Sequence, residues 1–360
     1  MFSSLPFGFM FIFITTFGTI FSISSSHWLG VWAGLEMNLI GFLPILVYQK
    51  SNSESESAVK YFVIQALGSG LLIFGSLMGC NLSFTWDLLM NSSISSFTII
   101  LSGLIIKMGM FPFHFWLPSV MAGLPWFSCL FLATWQKIAP LLLVSSLIET
   151  SILYSFMIFF CFMASVSSLI GGIGGMNQTQ IRALLAYSSI GHLGWIMFAA
   201  SQSMWSMKSY FSIYILISLS IFISLWYLNL GHIKNLSDLM TFEPYKAFSL
   251  MVMLLSLGGL PPLLGFISKW MVIFGTMQSA YWMFLIILVL GSVMSLFYYL
   301  GLYFSASLGF SKKLYMNTKF SLETPLLLST GLLMNLLGGL ALIFLNLLKE
   351  FYALVIFNKS

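Results

Sequence analysis

Charged residues are too scarce in this sequence to cover a fold that is dissolved in water. The 360 residues include 14 Lys and Arg and 9 Asp and Glu, so 6% of the chain is charged and 59% is hydrophobic. A soluble globular domain has a charged fraction of roughly a quarter, and disordered chains are poor in hydrophobic residues. The sequence therefore predicts a protein that folds in a lipid bilayer.

The composition also argues against several kinds of binding site. Cys80, Cys129 and Cys161 are far apart in apolar surroundings, so we predict neither a disulfide framework nor a cysteine-based metal site. No two of the 4 histidines have the spacing of metal or haem ligands on one helix. The net charge of +5 comes from scattered cations, whereas a nucleic-acid surface needs clustered ones. We expect no metal, redox cofactor or nucleic acid on this chain.

About eleven apolar runs are long enough for a transmembrane helix, which needs roughly 20 residues. Barrel strands would alternate apolar and polar residues, and runs such as residues 99–106 do not alternate. The predicted fold is therefore an all-α polytopic membrane protein. The predicted spans are residues 5–24, 28–48, 60–80, 94–122, 125–147, 151–174, 180–200, 208–229, 247–278, 281–304 and 325–347.

Two of these spans are too long for one straight helix and contain internal Pro and Gly. The fourth contains residues 110–118, MFPFHFWLP, and the ninth contains residues 258–265, GGLPPLLG. Because Pro lacks an amide hydrogen and its ring clashes with the preceding turn, we predict two broken helices.

The two broken spans are five helices apart, and five is an odd number. Helices one to five and six to ten would then form two repeats of inverted topology, as in transporters with a site near the bilayer midplane. We predict one membrane domain. It consists of a first inverted repeat at 1–150, a second at 151–305, and a loop with a C-terminal transmembrane helix at 306–360.

Loop cations predict the orientation, because Lys and Arg are enriched on the cytoplasm-like side of a membrane. Eight of them follow even-numbered spans and three lie on the opposite side. This places the N-terminus on the cytoplasm-like side and, with an odd number of spans, the C-terminus across the membrane. The first group is Lys50, Lys60, Arg182, Lys234, Lys246, Lys312, Lys313 and Lys319, and the second is Lys208, Lys349 and Lys359.

The polar loops are small. Glu54 and Glu56, in the loop at 49–57, are most simply interpreted as surface charges. The segments 231–245 and 305–324 are predicted to be the longest exposed stretches. None is long enough for a catalytic domain of its own.

Four charged residues lie inside predicted spans and away from the ends of those spans. A charge there costs on the order of 3 kcal/mol unless it is paired, hydrated or functional. Glu36 lies in the second span and Lys107 precedes the first break. Lys137 lies in the fifth span and Lys269 follows the second break. A buried Lys beside a movable acidic group can change its protonation, as a proton relay requires. We therefore predict a relay through these residues.

Structural explanations remain open for these groups. Lys137 and Lys269 could extend to the membrane interface, and Glu36 with Lys107 could form an inert buried ion pair. His192 lies within a span beside hydroxyl residues, and an imidazole is a natural proton carrier at neutral pH. It is equally well explained as a core imidazole bonded to a backbone carbonyl.

A glycine-rich run, GGIGG at residues 171–175, is not a nucleotide-binding loop. It lacks the GxGxxG spacing and ends an apolar helix where a strand followed by a helix would be needed. We predict that these small residues allow close helix packing.

Four longer motifs are specific enough to compare with known families. They are residues 107–118 (KMGMFPFHFWLP), 134–140 (TWQKIAP), 185–195 (LAYSSIGHLGW) and 257–270 (LGGLPPLLGFISKW). In this order they resemble the NADH dehydrogenase subunit 2 family, the mitochondrially encoded antiporter-like subunits of respiratory complex I. The resemblance covers nearly the whole chain. It implies the same eleven helices and an N-terminus in the matrix.

The resemblance also implies a role for each candidate residue. Glu36 and Lys107 would form the coupling pair of the first half-channel. Lys137 would be the central connecting lysine, and Lys269 would belong to the second half-channel. His192 would join the hydrated axis between Lys137 and Lys269. The chain would translocate protons as a subunit of NADH:ubiquinone reductase and would contain no redox site of its own.

Partners and location follow from the same resemblance. NADH, FMN, the iron–sulfur clusters and ubiquinone would be bound by other subunits. This chain would contact other membrane-arm subunits of complex I, including neighbouring antiporter-like subunits, and inner-membrane lipids. It would be a multi-pass protein of the mitochondrial inner membrane, with its N-terminus in the matrix and its C-terminus in the intermembrane space.

Two other functions are compatible with the residues themselves. A free-standing cation/proton antiporter would use the same inverted repeats and intramembrane lysines, but it would work without partner subunits. A structural membrane scaffold would use the buried charges only to set helix contacts, so it would tolerate the loss of Lys107.

Overall fold

A computed structural model of the chain describes residues 7–48, 51–80, 94–150, 154–276, 281–313 and 328–340. The regular elements in these ranges are all α-helices, apart from an isolated antiparallel bridge between Gln180 and His232. The predicted all-α class is therefore confirmed. The helices are α1 (Gly8–Ser24), α2 (Trp28–Leu46), α3 (Asn52–Cys80), α4 (Ile94–Met108), α5 (Trp116–Gly123), α6 (Trp126–Ala133), α7 (Trp135–Thr150), α8 (Tyr154–Met176), α9 (Ile181–Ala200), α10 (Met204–Leu228), α11 (Ile233–Phe242), α12 (Pro244–Gly258), α13 (Leu264–Thr276), α14 (Trp282–Lys313) and α15 (Leu328–Leu340).

Many of these helices are long and apolar enough to cross a bilayer. Within the described ranges seven stretches meet this description, and α1, α4, α12, α13 and α15 are shorter apolar helices. Each of the eleven predicted spans coincides with one or two of the helices. The number of membrane crossings and the inverted relation of the two repeats stay predictions. The seven stretches are Trp28–Leu46, Asn52–Cys80, Trp126–Glu149, Phe156–Met176, Ile181–Ala200, Met204–Leu228 and Trp282–Leu308.

Both predicted helix breaks are present. Helix α4 ends before Gly109 (φ 73°) and α12 ends before Gly259 (φ 86°). Each helix therefore ends at a left-handed backbone conformation, which glycine adopts without strain. The amide of Gly109 donates to the carbonyl of Ile105 at 3.0 Å, and that of Gly259 donates to Leu255 at 3.2 Å. These bonds close the last turn of each helix before the prolines redirect the chain.

The fifth predicted span, 125–147, is not continuous. Thr134 separates α6 from α7, and its hydroxyl donates to the carbonyl of Leu130 at 2.7 Å. Pro140 lies in α7 and lacks the amide hydrogen that would bond to the carbonyl of Gln136. The helical hydrogen bonding is therefore incomplete at Thr134 and again at Pro140, although the run of apolar residues is uninterrupted.

Two segments that were predicted to be exposed are partly helical. Helix α11 lies inside 231–245, because Leu236 and Met240, one helical turn apart, form a buried apolar face. Helix α14 continues through Lys313, so the predicted exposed stretch at 305–324 begins as helix. Residues 314–324 lie outside the described ranges.

The prediction that Glu54 is a surface charge is wrong, because its side chain is 2% exposed. Helix α3 begins at Asn52, and Ser51 caps it by accepting a hydrogen bond from the amide of Glu54 at 3.3 Å. Helical spacing then puts Glu54 on the same buried face as Ala58 and Tyr61. Glu56 is exposed, as predicted.

The chain forms two compact units, Met1–Ser167 and Ser168–Ser360. In the second unit, α8 crosses α9 where two glycines meet. A Cβ atom added to Gly171 would lie 2.5 Å from the backbone nitrogen of Gly191, closer than any real side-chain atom approaches. This confirms that the GGIGG run allows close helix packing.

We expect Gly171→Ala to destabilise the protein by about 1–3 kcal/mol, since α8 must move away from α9 to admit the methyl group. The matched control is Gly301→Ala in α14, where an added Cβ meets no atom within 4 Å. The measurement is the thermal denaturation midpoint of protein solubilised from its own membrane. Equal midpoints for the two variants would contradict this account of the crossing.

Candidate functional site

Lys107 lies in the last turn of α4, at the first helix break, and is 7% exposed. Its side chain runs beside Gly68 of α3, where an added Cβ would lie 3.1 Å from the Cγ of Lys107. Two side chains bond to the end of the helix. Gln65 Nε2 donates to the carbonyl of Lys107 at 3.3 Å, and Trp116 Nε1 donates to that of Ile106 at 3.1 Å. The Gln65 bond gives a partner to the carbonyl of Lys107, an acceptor in the last turn. The Trp116 bond adds a second donor to the carbonyl of Ile106, which also accepts from the Gly109 amide at 3.1 Å.

Glu36 lies on α2, is partly buried, and is close enough to interact electrostatically with both Lys107 and Tyr61. Within the part of the chain that the structure describes, Glu36 and Lys107 form no ion pair within 4.0 Å. The structure therefore brings together the two residues predicted to form a pair. It leaves a separation between them, unlike the closed ion pair of the inert alternative.

Lys137 lies in the first turn of α7 and is 2% exposed. A lysine that extended to the membrane interface would have an exposed ammonium group. The burial of Lys137 therefore disfavours that alternative. The neighbouring Gln136 exchanges hydrogen bonds with Asn38 of α2, so α7 is tied to the helix that carries Glu36.

Lys269 lies in α13, after the second break, and is 7% exposed. Its ammonium nitrogen donates to the carbonyl of Gly258 at 2.8 Å. That carbonyl belongs to the last residue of α12, where the helix dipole is negative and attracts a cation. Gly259 has no side chain, and an added Cβ there would lie 2.9 Å from this nitrogen. The broken helix is thus the binding site for the Lys269 ammonium.

His192 is buried in α9, and its Nδ1 lies 3.0 Å from the hydroxyl of Tyr210 on α10. The Tyr210 hydroxyl is also close to Ser268, the residue before Lys269. A chain of polar groups therefore leads from His192 toward Lys269. Sequence reasoning missed Tyr210. The sequence feature that could have indicated it is the pair Tyr210 and Tyr214, one helical turn apart in an apolar helix. Buried tyrosine hydroxyls need hydrogen-bond partners, so such a pair predicts a polar contact.

His192 and Lys269 also line the same small cavity in the second unit. Its volume is about 10 Å³, which is enough for roughly one water molecule. Ser188, Ser292 and Tyr299, which carry hydroxyl groups, are also among its lining residues. The structure thus brings together two of the predicted relay residues around a water-sized space.

Lys269 also lines a larger cavity of about 440 Å³. Its wall is mostly apolar and includes Trp195, Trp270 and Phe274. Among the described residues, no group of three or more His, Cys, Asp and Glu side chains is arranged to hold a metal ion.

Known proteins share both the sequence and the fold of this chain. Residues 25–295 match the family described as NADH:quinone oxidoreductase/Mrp antiporter, transmembrane. The chain is 42% identical over 285 residues to NADH-ubiquinone oxidoreductase chain 2 of Lumbricus terrestris, covering 78% of this chain and 81% of the relative. It is 41% identical over 298 residues to the protein of the same name from Anopheles gambiae, covering 81% and 83%.

Two solved structures show the same fold. A chain of respiratory complex I from Thermus thermophilus has a TM-score of 0.78 and 24% identity, over 95% of this chain and 78% of that chain. A chain of the Mrp complex from Dietzia sp. has a TM-score of 0.73 and 15% identity, over 82% of this chain and 59% of that chain. Because the Lumbricus terrestris and Anopheles gambiae relatives are 42% and 41% identical to it over most of their length, this chain belongs to the NADH-ubiquinone oxidoreductase chain 2 family.

Proposed function

We propose that this chain is a proton-translocating, antiporter-like subunit of respiratory complex I, the NADH:ubiquinone oxidoreductase. The observation that carries the proposal is the burial of Lys107, Lys137 and Lys269 inside apolar helices of a member of this family. Buried ionisable groups in membrane helices are costly and mark ion pathways.

In the first unit, the proton-binding group would be Lys107 and its control element Glu36. A carboxylate stabilises a nearby ammonium group, and this stabilisation weakens as the distance grows. The two side chains interact without closing into an ion pair. A small movement of α2 relative to α4 would therefore strengthen or weaken the stabilisation of the Lys107 ammonium group. Lys107 would then bind or release a proton in response to Glu36.

In the second unit, Lys269 and His192 would share the transfer. The carbonyl of Gly258 holds the Lys269 ammonium, and the Tyr210 hydroxyl holds His192. Imidazole, hydroxyl groups and a single water can all donate and accept protons. The water-sized cavity that both residues line would let a proton pass between them. By the family resemblance, Lys137 would be the central connecting lysine.

The remaining features of the function are proposed from the family and from the loop charges. NADH, FMN, the iron–sulfur clusters and ubiquinone would bind to other subunits. Neighbouring antiporter-like subunits of the membrane arm and inner-membrane lipids would surround this chain. The protein would lie in the mitochondrial inner membrane, with its N-terminus in the matrix and its C-terminus in the intermembrane space.

We expect Lys107→Met to reduce coupled proton translocation on the order of a hundredfold, the usual effect of losing an acid–base group. The measurement is proton uptake by sealed vesicles that contain the assembled complex and oxidise NADH. The control is Lys60→Met on α3, which removes an exposed lysine that pairs with Glu56. A fully assembled Lys107→Met complex that pumps at the wild-type rate would support the scaffold and contradict the relay.

Lys137→Arg distinguishes a proton carrier from a fixed charge. Arginine keeps the positive charge and the hydrogen-bonding capacity, but it does not release its proton in proteins. We therefore expect Lys137→Arg to impair proton translocation as severely as Lys137→Met does. Normal pumping by the arginine variant alone would show that Lys137 acts only through its charge.

We expect the chain to migrate in a very large NADH-oxidising band on a native gel of gently solubilised membranes. The band is stained for NADH oxidation and its peptides are identified by mass spectrometry. Migration near the chain's own mass of 40.3 kDa, or near a small multiple of it, would favour the free-standing antiporter.

A further inference from the structure

The first unit contains a polar cluster that none of the relay roles explains. Asn38 of α2 and Gln136 of α7 form a reciprocal amide pair. Asn38 Nδ2 donates to Gln136 Oε1 at 2.9 Å, and Gln136 Nε2 donates to Asn38 Oδ1 at 3.0 Å. Asn38 is buried and Gln136 is partly buried. Two helices are therefore joined by two directional hydrogen bonds.

Tyr61 of α3 is the third member of the cluster. Its hydroxyl donates to the same Gln136 Oε1 at 3.3 Å, so this oxygen accepts bonds from two helices. The Tyr61 ring is buried between Phe42 and Trp116, with ring centroids 5.4 and 5.8 Å away. The hydroxyl is thus presented by a ring that has little freedom to move. Gln136 is held from α2 and from α3 at once.

The cluster lies next to the proposed relay residues in sequence and in space. Gln136 immediately precedes Lys137, and Asn38 is two residues after Glu36 on the same helix. Tyr61 lies within electrostatic range of Glu36. The cluster therefore connects the backbone that carries Glu36 with the backbone that carries Lys137.

Lys137 lies in the first turn of α7, where few helical hydrogen bonds fix the position of the backbone. Thr134 interrupts the ladder before α7, and the amide of Lys137 bonds only three residues back, to the carbonyl of Thr134 at 3.3 Å. On the C-terminal side of Lys137, Pro140 lacks the amide hydrogen that would bond to the carbonyl of Gln136. Side-chain contacts, more than the helical ladder, decide where this turn lies.

We propose that the Asn38–Gln136 pair, with Tyr61 as its third partner, is a positioning device that sets the separation of Glu36 and Lys137. This inference rests on the proposed proton-relay function. The three residues do not themselves carry the proton. An amide pair suits this task because its two hydrogen bonds form only when the two amide groups lie side by side, which constrains the register of two helices more than apolar packing does. It is also uncharged, so it leaves the field of Glu36 unopposed.

The test uses complex I assembled with variant chains in sealed vesicles. Three quantities are measured for each variant: the amount of assembled complex, the rate of NADH oxidation and the number of protons moved per electron. For Asn38→Leu and for Gln136→Met, which keep side-chain size, we expect assembly and NADH oxidation to be preserved. Protons per electron should fall by roughly twofold or more, since contacting residues are energetically coupled.

Exchanging the two amides gives a rescue that a generic packing role would not predict. Asn38→Gln or Gln136→Asn alone changes the combined length of the pair and should lower the proton ratio. The double variant Asn38→Gln with Gln136→Asn restores that length and should recover most of the wild-type ratio. The control is Ser145→Ala, also buried on α7, whose hydroxyl bonds within its own helix to Leu142 at 2.8 Å. It should leave all three quantities unchanged.

Lys137→Met, measured in the same experiment, distinguishes a failure of the positioning role from a failure of the proposed proton-relay function. If Lys137→Met stops translocation while Asn38→Leu and Gln136→Met pump normally, the positioning role is wrong and the relay stands. If Lys137→Met also pumps normally, the proposed function itself fails. If the apolar variants do not assemble, Tyr61→Phe decides, because it keeps the ring and removes one bond. A lowered proton ratio for Tyr61→Phe supports the positioning role, and a wild-type ratio overturns it.

Discussion

The cost of leaving a polar group unsatisfied in lipid is the constraint on which the rest of this structure depends. A broken helix frees carbonyl groups that water would normally solvate, and a buried lysine carries donors that also need partners. At the second break these two demands satisfy each other, because the Lys269 ammonium bonds to the carbonyl of Gly258. At the first break, Gln65 and Trp116 donate hydrogen bonds to the last carbonyls of α4.

Neutral polar groups contact the buried ionisable residues or the turns that carry them. His192 is paired with Tyr210, and the turn that carries Lys137 is held by Asn38 and Gln136. Amides and hydroxyls are cheaper to bury than additional acids or bases, and they do not compete with the charges whose protonation is proposed to change. Such an arrangement can be rigid in its helix positions and still switch in its proton occupancy.

Much of the fold was predictable because the relevant signals are local. Apolar runs define helices, and the Pro and Gly residues of 110–118 and 258–265 predict the two breaks that the structure contains. The break at Thr134 was not predictable from hydropathy, since it depends on a hydroxyl bond within an uninterrupted apolar run. The burial of Glu54 depends on where α3 starts, and one residue of shift would turn that side chain outward.

The sequence by itself determined that the chain spans a membrane, that it is helical with two breaks, and that Glu36, Lys107, Lys137 and Lys269 lie inside apolar helices. These conclusions follow from composition and from short-range backbone chemistry. Only the tertiary structure decided which distant groups meet: His192 with Tyr210, and Asn38 with Gln136, which is 98 positions away. Side-chain partnership across helices depends on their rotation and crossing, and a linear pattern of hydrophobic residues leaves both undetermined.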